Sequence, residues 1–130
     1  MTTPEPRKPS LLIVDDDPLI IDTLAFFLKR EFRISTAGSR ADCISLLRSR
    51  GTTPQLALVD LGLPPQPHLP DEGLALISDL LAHSPGIRIV VLSGQNDEAN
   101  ARHARALGAT EFVAKPADPE QLRQILLQIH

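Results

Sequence analysis

A chain of 130 residues can bury one core and is too short for two domains of ordinary size. Its composition, 42% hydrophobic and 22% charged, is that of a soluble globular protein, and a net charge of −3 gives no electrostatic reason to expect nucleic acid or an anionic membrane as a direct partner. The single cysteine, Cys43, excludes an internal disulfide framework and fits a reducing compartment. No apolar run reaches membrane-spanning length and the first residues lack a signal-peptide core, so the expected location is the cytoplasm.

Residues 1–9 carry Pro4, Pro6 and Pro9 and no apolar pattern, which reads as a disordered lead-in to one domain over 10–130. Leu11-Leu12-Ile13-Val14 is an apolar run that ends in Asp15-Asp16-Asp17-Pro18, the pattern of a strand buried on both faces turning into a helix. Asp17 is placed to cap that helix, and Ile20, Ile21, Leu24, Phe27 and Leu28 give it an apolar face up to about Arg30. Phe32, Ile34 and Thr36 alternate with Arg33 and Ser35, as in a short strand nearer the edge of a sheet. Ser39 can cap a second helix with Ile44, Leu46 and Leu47, ending at Gly51; Cys43 falls inside it as a small buried hydrophobe. Leu56-Ala57-Leu58-Val59 is another apolar run and ends in one acid, Asp60. A third helix from Asp71 or Glu72 presents Leu74, Ile77, Leu80 and Leu81 and is broken by Pro85-Gly86. Ile87 to Leu92 is a strand that ends in Ser93-Gly94. Asp97 caps an alanine-rich helix closing at Gly108. Phe112, Val113 and Ala114 form the last strand, followed by Lys115-Pro116 and a helix capped by Asp118 with Leu122, Ile125, Leu126 and Ile129 at i, i+3, i+4, i+7.

Five strands alternating with five helices predict an α/β domain with a doubly wound parallel sheet. Parallel strands share one carboxyl rim, so Asp15, Asp16, Asp60, Ser93 and Lys115 should converge there, where such sheets bind ligands. Adjacent carboxylates raise one another's pKa unless a cation neutralises them, and a hard divalent ion with oxygen ligands, Mg2+ above all, is the natural partner. The plainer alternative is that the three acids 15–17 are one cap and two solvated charges. His68, His83, His103 and His130 are scattered and share no ligand spacing, which favours surface roles over metal binding.

The pieces Ile13-Val14-Asp15-Asp16, Leu58-Val59-Asp60, Val91-Leu92-Ser93-Gly94 and Phe112-Val113-Ala114-Lys115-Pro116, in that order and each at a strand end, resemble the response-regulator receiver domain (CheY-like) of bacterial two-component signalling. The resemblance covers residues from about 10 to 130. It implies a single flavodoxin-like (βα)5 domain with strand order 2-1-3-4-5. It also implies that Asp60 takes a phosphoryl group from a histidine kinase or phosphotransfer protein, with Mg2+ held by Asp15, Asp16, Asp60 and the backbone carbonyl of Gly62. Lys115 would supply fixed positive charge and Ser93 a hydroxyl for the phosphoryl oxygen. Phe112, three before the lysine, takes the place of an aromatic switch residue that moves as Ser93 is drawn inward, although an ordinary core role for it is open. A cis Lys115-Pro116 bond is implied too. Arg102 and Arg105 read either as the solvated face of the fourth helix or, by the resemblance, as part of the output surface it forms with the last strand and last helix, a site for partners or a second copy. Gly62 and Gln95 border the acceptor and bear on hydrolysis of the phosphate.

One departure stands out. Receivers commonly show D-x-x-x-P-x-x-x-G after the acceptor strand; Asp60 to Pro64 fits, but Gly73 comes thirteen residues after Asp60 instead of eight. Pro64, Pro65, Pro67 and Pro70 make the longer loop stiff. The stretches Asp60-Leu61-Gly62-Leu63-Pro64-Pro65 and Glu72-Gly73-Leu74-Ala75 resemble regulators of PEP-CTERM systems, which join a receiver to an AAA+ ATPase and a DNA-binding helix-turn-helix domain. A rival reading takes Asp15-x-Asp17 as the motif of a haloacid-dehalogenase-type phosphatase with Asp15 as nucleophile, Asp17 as acid–base, and Ser93 and Lys115 in support. That reading leaves Asp60 without a role.

Overall fold

The structure, a computed structural model, describes residues 8–50, 53–94 and 98–130. Five strands and five helices alternate: β1 (Ser10–Val14), α1 (Pro18–Leu28), β2 (Arg33–Ala37), α2 (Arg40–Arg50), β3 (Leu56–Asp60), α3 (Asp71–His83), β4 (Arg88–Ser93), α4 (Glu98–Leu107), β5 (Glu111–Ala114) and α5 (Pro119–Ile129). All strands are parallel, in the order β2-β1-β3-β4-β5, as the resemblance implied. None of the helices is long and apolar enough to cross a membrane, among the described residues.

The strand side chains divide by parity between two cores, because successive residues of a strand point to opposite faces. Leu11, Ile13, Leu56, Leu58, Val90 and Leu92 pack with Leu24 and Leu28 of α1 and Leu122 and Leu126 of α5. Leu12, Val14, Ala57, Val59, Ile89 and Val91 pack with Cys43 and Leu47 of α2, Leu74, Ile77 and Leu80 of α3, and Ala104 of α4. The central β1 and β3 are therefore apolar at every core position, and their ends carry the first polar side chains to escape both helix layers.

The caps follow from the residues. Asp17 Oδ1 accepts from the Leu19 N–H at 2.9 Å, Ser39 Oγ from the Asp42 N–H at 3.0 Å and Asp118 Oδ1 from the Glu120 N–H at 3.2 Å, each satisfying a donor the helix leaves orphaned. Gly108 closes α4 with φ of +118°, a conformation L side chains rarely adopt. Asp97 and Gln95, and the end of α2 at Gly51, lie outside the described residues. So does most of the expected lead-in; its two described residues, Lys8 and Pro9, are tied to β2, through Arg33 Nε to the Lys8 carbonyl at 3.0 Å and the Arg33 N–H to the Pro9 carbonyl at 2.9 Å.

Some elements differ from the sequence reading. The first helix stops at Leu28, whose carbonyl accepts from the N–H groups of Glu31 and Phe32; Phe32 thus precedes β2 and fills the α1/α5 core from a turn. In β2, Ile34 is half-buried and Thr36 exposed, since an edge strand is covered less completely. The third helix buries Leu76 as well, and Leu81 only in part, because α3 lies between α2 and α4 and is covered over a wider arc. Phe27 is turned outward to 39% exposure beside a more exposed Phe26.

Two outcomes follow for the core. Leu58→Ala, at a position 1% exposed in the central strand, lowers unfolding free energy by about 2–5 kcal/mol in urea titrations. Cys43 is wholly buried and desolvation pushes its thiol up to about 11, so Ellman's reagent labels it only as fast as the protein unfolds; rapid labelling of the native protein contradicts this packing.

Candidate functional site

The site grows out of the two strands buried on both faces. Asp15 follows β1, and its N–H continues the ladder, donating to the Ala37 carbonyl at 3.2 Å. Its carboxylate, 2% exposed, receives the Asp17 N–H on Oδ1 at 2.9 Å and the Lys115 ammonium on Oδ2 at 2.9 Å. Asp60 closes β3, and Oδ1 accepts the Gly62 N–H at 3.1 Å while Oδ2 lies 3.2 Å from Lys115 Nζ. Lys115 is held at this rim because its own N–H donates to the Ser93 carbonyl at 2.7 Å, extending the β4–β5 ladder by one residue. One carboxylate oxygen from each of Asp15, Asp16 and Asp60 lies within 4.8 Å of the others. Asp16 is exposed at the mouth, while the other two are buried.

The electrostatics follow from that burial. Desolvation pushes the Asp60 carboxyl above its usual range, and the Asp15 charge adds to this; the Lys115 charge and the Gly62 N–H oppose it without cancelling it. For Lys115, burial favours the neutral amine, but the hydrogen bond to Asp15 and the charges of Asp60 and Asp15 outweigh it and hold the ammonium above its ordinary value. Three carboxylates against one ammonium leave the cluster net negative. Its donors are hard oxygens, the set that suits a divalent cation with oxygen ligands.

This cluster opens into a cleft of about 340 Å³ lined by Asp16, Asp60, Ser93 and Lys115, so Asp60 is sheltered but reachable. The structure thus brings Asp15, Asp16, Asp60, Gly62, Ser93 and Lys115 to one rim; Gly62 takes part through its N–H. Phe112 is not among the cleft residues. It pairs in register with Val91 and packs, half-buried, against the α2–α4 side of the sheet. The Lys115–Pro116 bond is cis, as is Pro64–Pro65.

The cleft has two further sources, of which local pattern marks only the proline-rich loop, expected to sit beside Asp60. Asn100, in the first turn of α4, lines the cleft. Pro67, His68, Leu69 and Pro70 form a wall, with His68 exposed on it, a surface residue as its sequence setting implied. The unusual interval between Asp60 and Gly73 was the signal for that wall. Gly73 itself is fixed by close approach: a Cβ there would lie 2.6 Å from the Leu61 carbonyl oxygen and 2.8 Å from that of Asp60. Helix α3 therefore meets the end of β3 backbone to backbone, with the Gly73 N–H donating to the Leu61 carbonyl at 3.2 Å.

A model of the family described as the response regulator receiver domain matches residues 11–127. The chain belongs to this family. It is similar to the photosynthetic apparatus regulatory protein RegA of Cereibacter sphaeroides, 38% identical over 119 residues, covering 91% of this chain and 61% of that protein. It is also similar to the acid tolerance regulatory protein ActR of Rhizobium meliloti, 35% identical, covering 92% and 58%. The chain thus spans about three-fifths of the length of these relatives. Among solved structures, a response regulator from Burkholderia pseudomallei with a phosphorylated aspartic acid, calcium ion and citrate superposes with a TM-score of 0.79 at 31% identity, covering 95% of this chain and 67% of that one. The domain is a receiver of two-component signalling, and the phosphatase reading finds no support: Asp15, its supposed nucleophile, has both oxygens engaged inside the protein.

The receiver cluster makes a direct prediction. Asp60 binds a proton more tightly folded than unfolded, so the stability its protonation contributes is present at low pH and lost as pH rises through the folded-state value. Asp60→Asn therefore melts at higher temperature than wild type at neutral pH in chelator, by calorimetry, and the gap narrows on acidification. Divalent cation narrows it too, by stabilising wild type more. A variant that melts lower than wild type in chelator contradicts the charge balance described above.

Proposed function

We propose that Asp60 is the phosphoacceptor of this receiver, taking its phosphoryl group from the phosphohistidine of a histidine kinase or phosphotransfer protein. The observation that carries this is the position of Asp60: the one carboxylate of the cluster that closes a strand, contacts Lys115 at 3.2 Å and lines an open cleft. An Asp60 oxygen attacks phosphorus, the P–N bond to the donor imidazole breaks as the P–O bond forms, and the imidazole leaves. Lys115 stays charged throughout and offsets the anionic phosphoryl oxygens, preorganised by its ladder bond to Ser93. Asp15 anchors Lys115 from the other side. Mg2+ would be held by Asp16 directly, by Asp15 through water, and by Asp60 and the Gly62 carbonyl, and would supply further charge neutralisation for two anions brought together.

Ser93 then donates its hydroxyl to a phosphoryl oxygen, a charge-assisted bond worth about 1.5–3 kcal/mol before costs. Ser93 and Phe112 sit on adjacent strands, with Ser93 opposite Ala114 and Val91 opposite Phe112, so inward movement of Ser93 gives the half-buried Phe112 room to repack. The phosphate thereby favours one of two packings of the α4–β5–α5 surface, including Arg102 and Arg105, and that surface meets an output domain or a second copy. An apolar groove of Leu19, Ile20, Leu24, Pro116 and Leu122 adjoins Lys115, beside the exposed Leu19, and gives a donor protein purchase next to the acceptor. The domain catalyses its own phosphoryl transfer and dephosphorylation, and works in the cytoplasm. Supported by the length of its relatives and by the Asp60–Pro65 and Glu72–Ala75 stretches, we read it as the receiver portion of a longer transcription factor, with an AAA+ and a DNA-binding module of the PEP-CTERM type; the receiver itself touches neither nucleic acid nor membrane.

Incubation with Mg2+ and a small acyl-phosphate donor labels one aspartate, identified by borohydride trapping and mass spectrometry as Asp60. Asp60→Asn abolishes the label, and Lys115→Ala lowers its yield or its coupling to oligomeric state on size exclusion with BeF3−. Label that persists in Asp60→Asn and disappears in Asp15→Asn would instead favour the phosphatase.

A further inference from the structure

The five extra residues between Asp60 and Gly73 do not loop away from the protein. Both ends of the segment are pinned: the Gly62 N–H to Asp60 Oδ1 at one end, and the Gly73 N–H to the Leu61 carbonyl at the other. Lengthening a surface loop between fixed ends costs little. What the added residues do is turn back, with the Leu69 N–H donating to the Gln66 carbonyl at 3.0 Å, so that Pro67 to Pro70 line the acceptor cleft. The turn brings the Pro67 carbonyl oxygen onto the spot where a Cβ of residue 62 would stand, well inside contact distance. That spot is 3.9 Å from Asp60 Oδ1. Gly62 has no positive φ to explain it, so the glycine is required by the loop's approach and not by its own backbone.

We propose that the Pro67–Pro70 limb is the shield of the phosphoryl group on Asp60, restricting water and so setting the lifetime of the phosphorylated state; this rests on Asp60 being the acceptor. Hydrolysis needs a water in line with the breaking bond: its oxygen bonds to phosphorus, the P–O bond to Asp60 breaks, inorganic phosphate leaves, the Asp60 carboxylate is restored and a proton goes to solvent. A wall placed beside Asp60 narrows the approach. Pro67 and Pro70 have no N–H, and the Leu69 N–H is engaged by the Gln66 carbonyl. The Leu69 side chain is apolar and the Pro67 carbonyl oxygen is occupied against residue 62, which leaves the His68 ring as the wall's polar side chain. Four prolines between 64 and 70 restrict the loop's alternatives, so the wall is held over the cleft at low entropic cost. In this chain the loop backbone thus occupies the place beside the acceptor that the side chain of residue 62 could otherwise take.

The test is the decay rate of the phosphoryl label on Asp60 after donor removal, in Mg2+. Deleting Pro65 to Leu69, which restores the eight-residue spacing, speeds decay about tenfold, and a length-preserving variant with Pro67→Gly, Leu69→Gly and Pro65→Gly speeds it by a smaller factor. Gly62→Asn slows decay in the deleted background, where the space is vacated. In the full-length loop, where the new side chain must displace Pro67, it does not slow it, a non-additivity that a merely structural loop does not produce. The triple-glycine variant, with an exposed loop of native length, keeps the test decisive if the deletion does not fold. Label that forms on Asp60 and decays at the wild-type rate in the folded variants overturns the shield and leaves the acceptor intact. Absence of label from Asp60 in every protein, wild type included, overturns both.

Discussion

One ammonium holds this site together. Lys115 reaches two buried carboxylates, Asp15 at 2.9 Å and Asp60 at 3.2 Å, that come from different strands and would repel each other without it. Burying ions is costly unless geometry and hydrogen bonding are good, and here the remaining oxygens are met by the N–H groups of Asp17 and Gly62. The arrangement is still incomplete in charge. Burial lifts Asp60 despite the lysine, and Asp16 adds a third carboxylate at the mouth. A net negative site of hard oxygen donors at the edge of an open cleft suits a divalent cation.

The fold explains why these groups meet. Strands β1 and β3 lie at the centre of the sheet and are covered by helices on both faces, so apolar residues must fill every position until the strand ends. The acids can appear only at the rim, and parallel strands bring all such rims together. Lys115 arrives from the far edge because its N–H continues the ladder to Ser93, which fixes the lysine's backbone before its side chain is considered. Rigid strands set the chemistry here, and the loops between strand and helix decide what may approach it.

Backbone contacts constrain the site as tightly as charges do. At Gly73 the first turn of α3 touches the backbone of Asp60 and Leu61, and at Gly62 the loop touches the turn that follows Asp60. These two glycines bracket the stretch where this chain departs from the usual receiver spacing. The departure is accommodated with the α3–β3 contact intact. The extra residues form a wall of the cleft.

The sequence by itself determined the alternation of strands and helices, the two-faced burial of β1 and β3, the caps at Asp17, Ser39 and Asp118, and the placing of Asp15, Asp60 and Lys115 at strand ends. These follow from local patterns, since an apolar run that stops at an acid and a proline has few other readings. Only the tertiary structure decided what lies around them. Leu76 is core because α3 has neighbours on both sides, and Phe32 is core from a turn that no alternation encodes. Asn100 and His68 reach the cleft through the packing of a helix and the path of a loop, and Phe112 packs against the sheet outside it. Periodicity reports which side of its own element a residue occupies; what stands opposite depends on other parts of the chain, and local pattern does not carry that information.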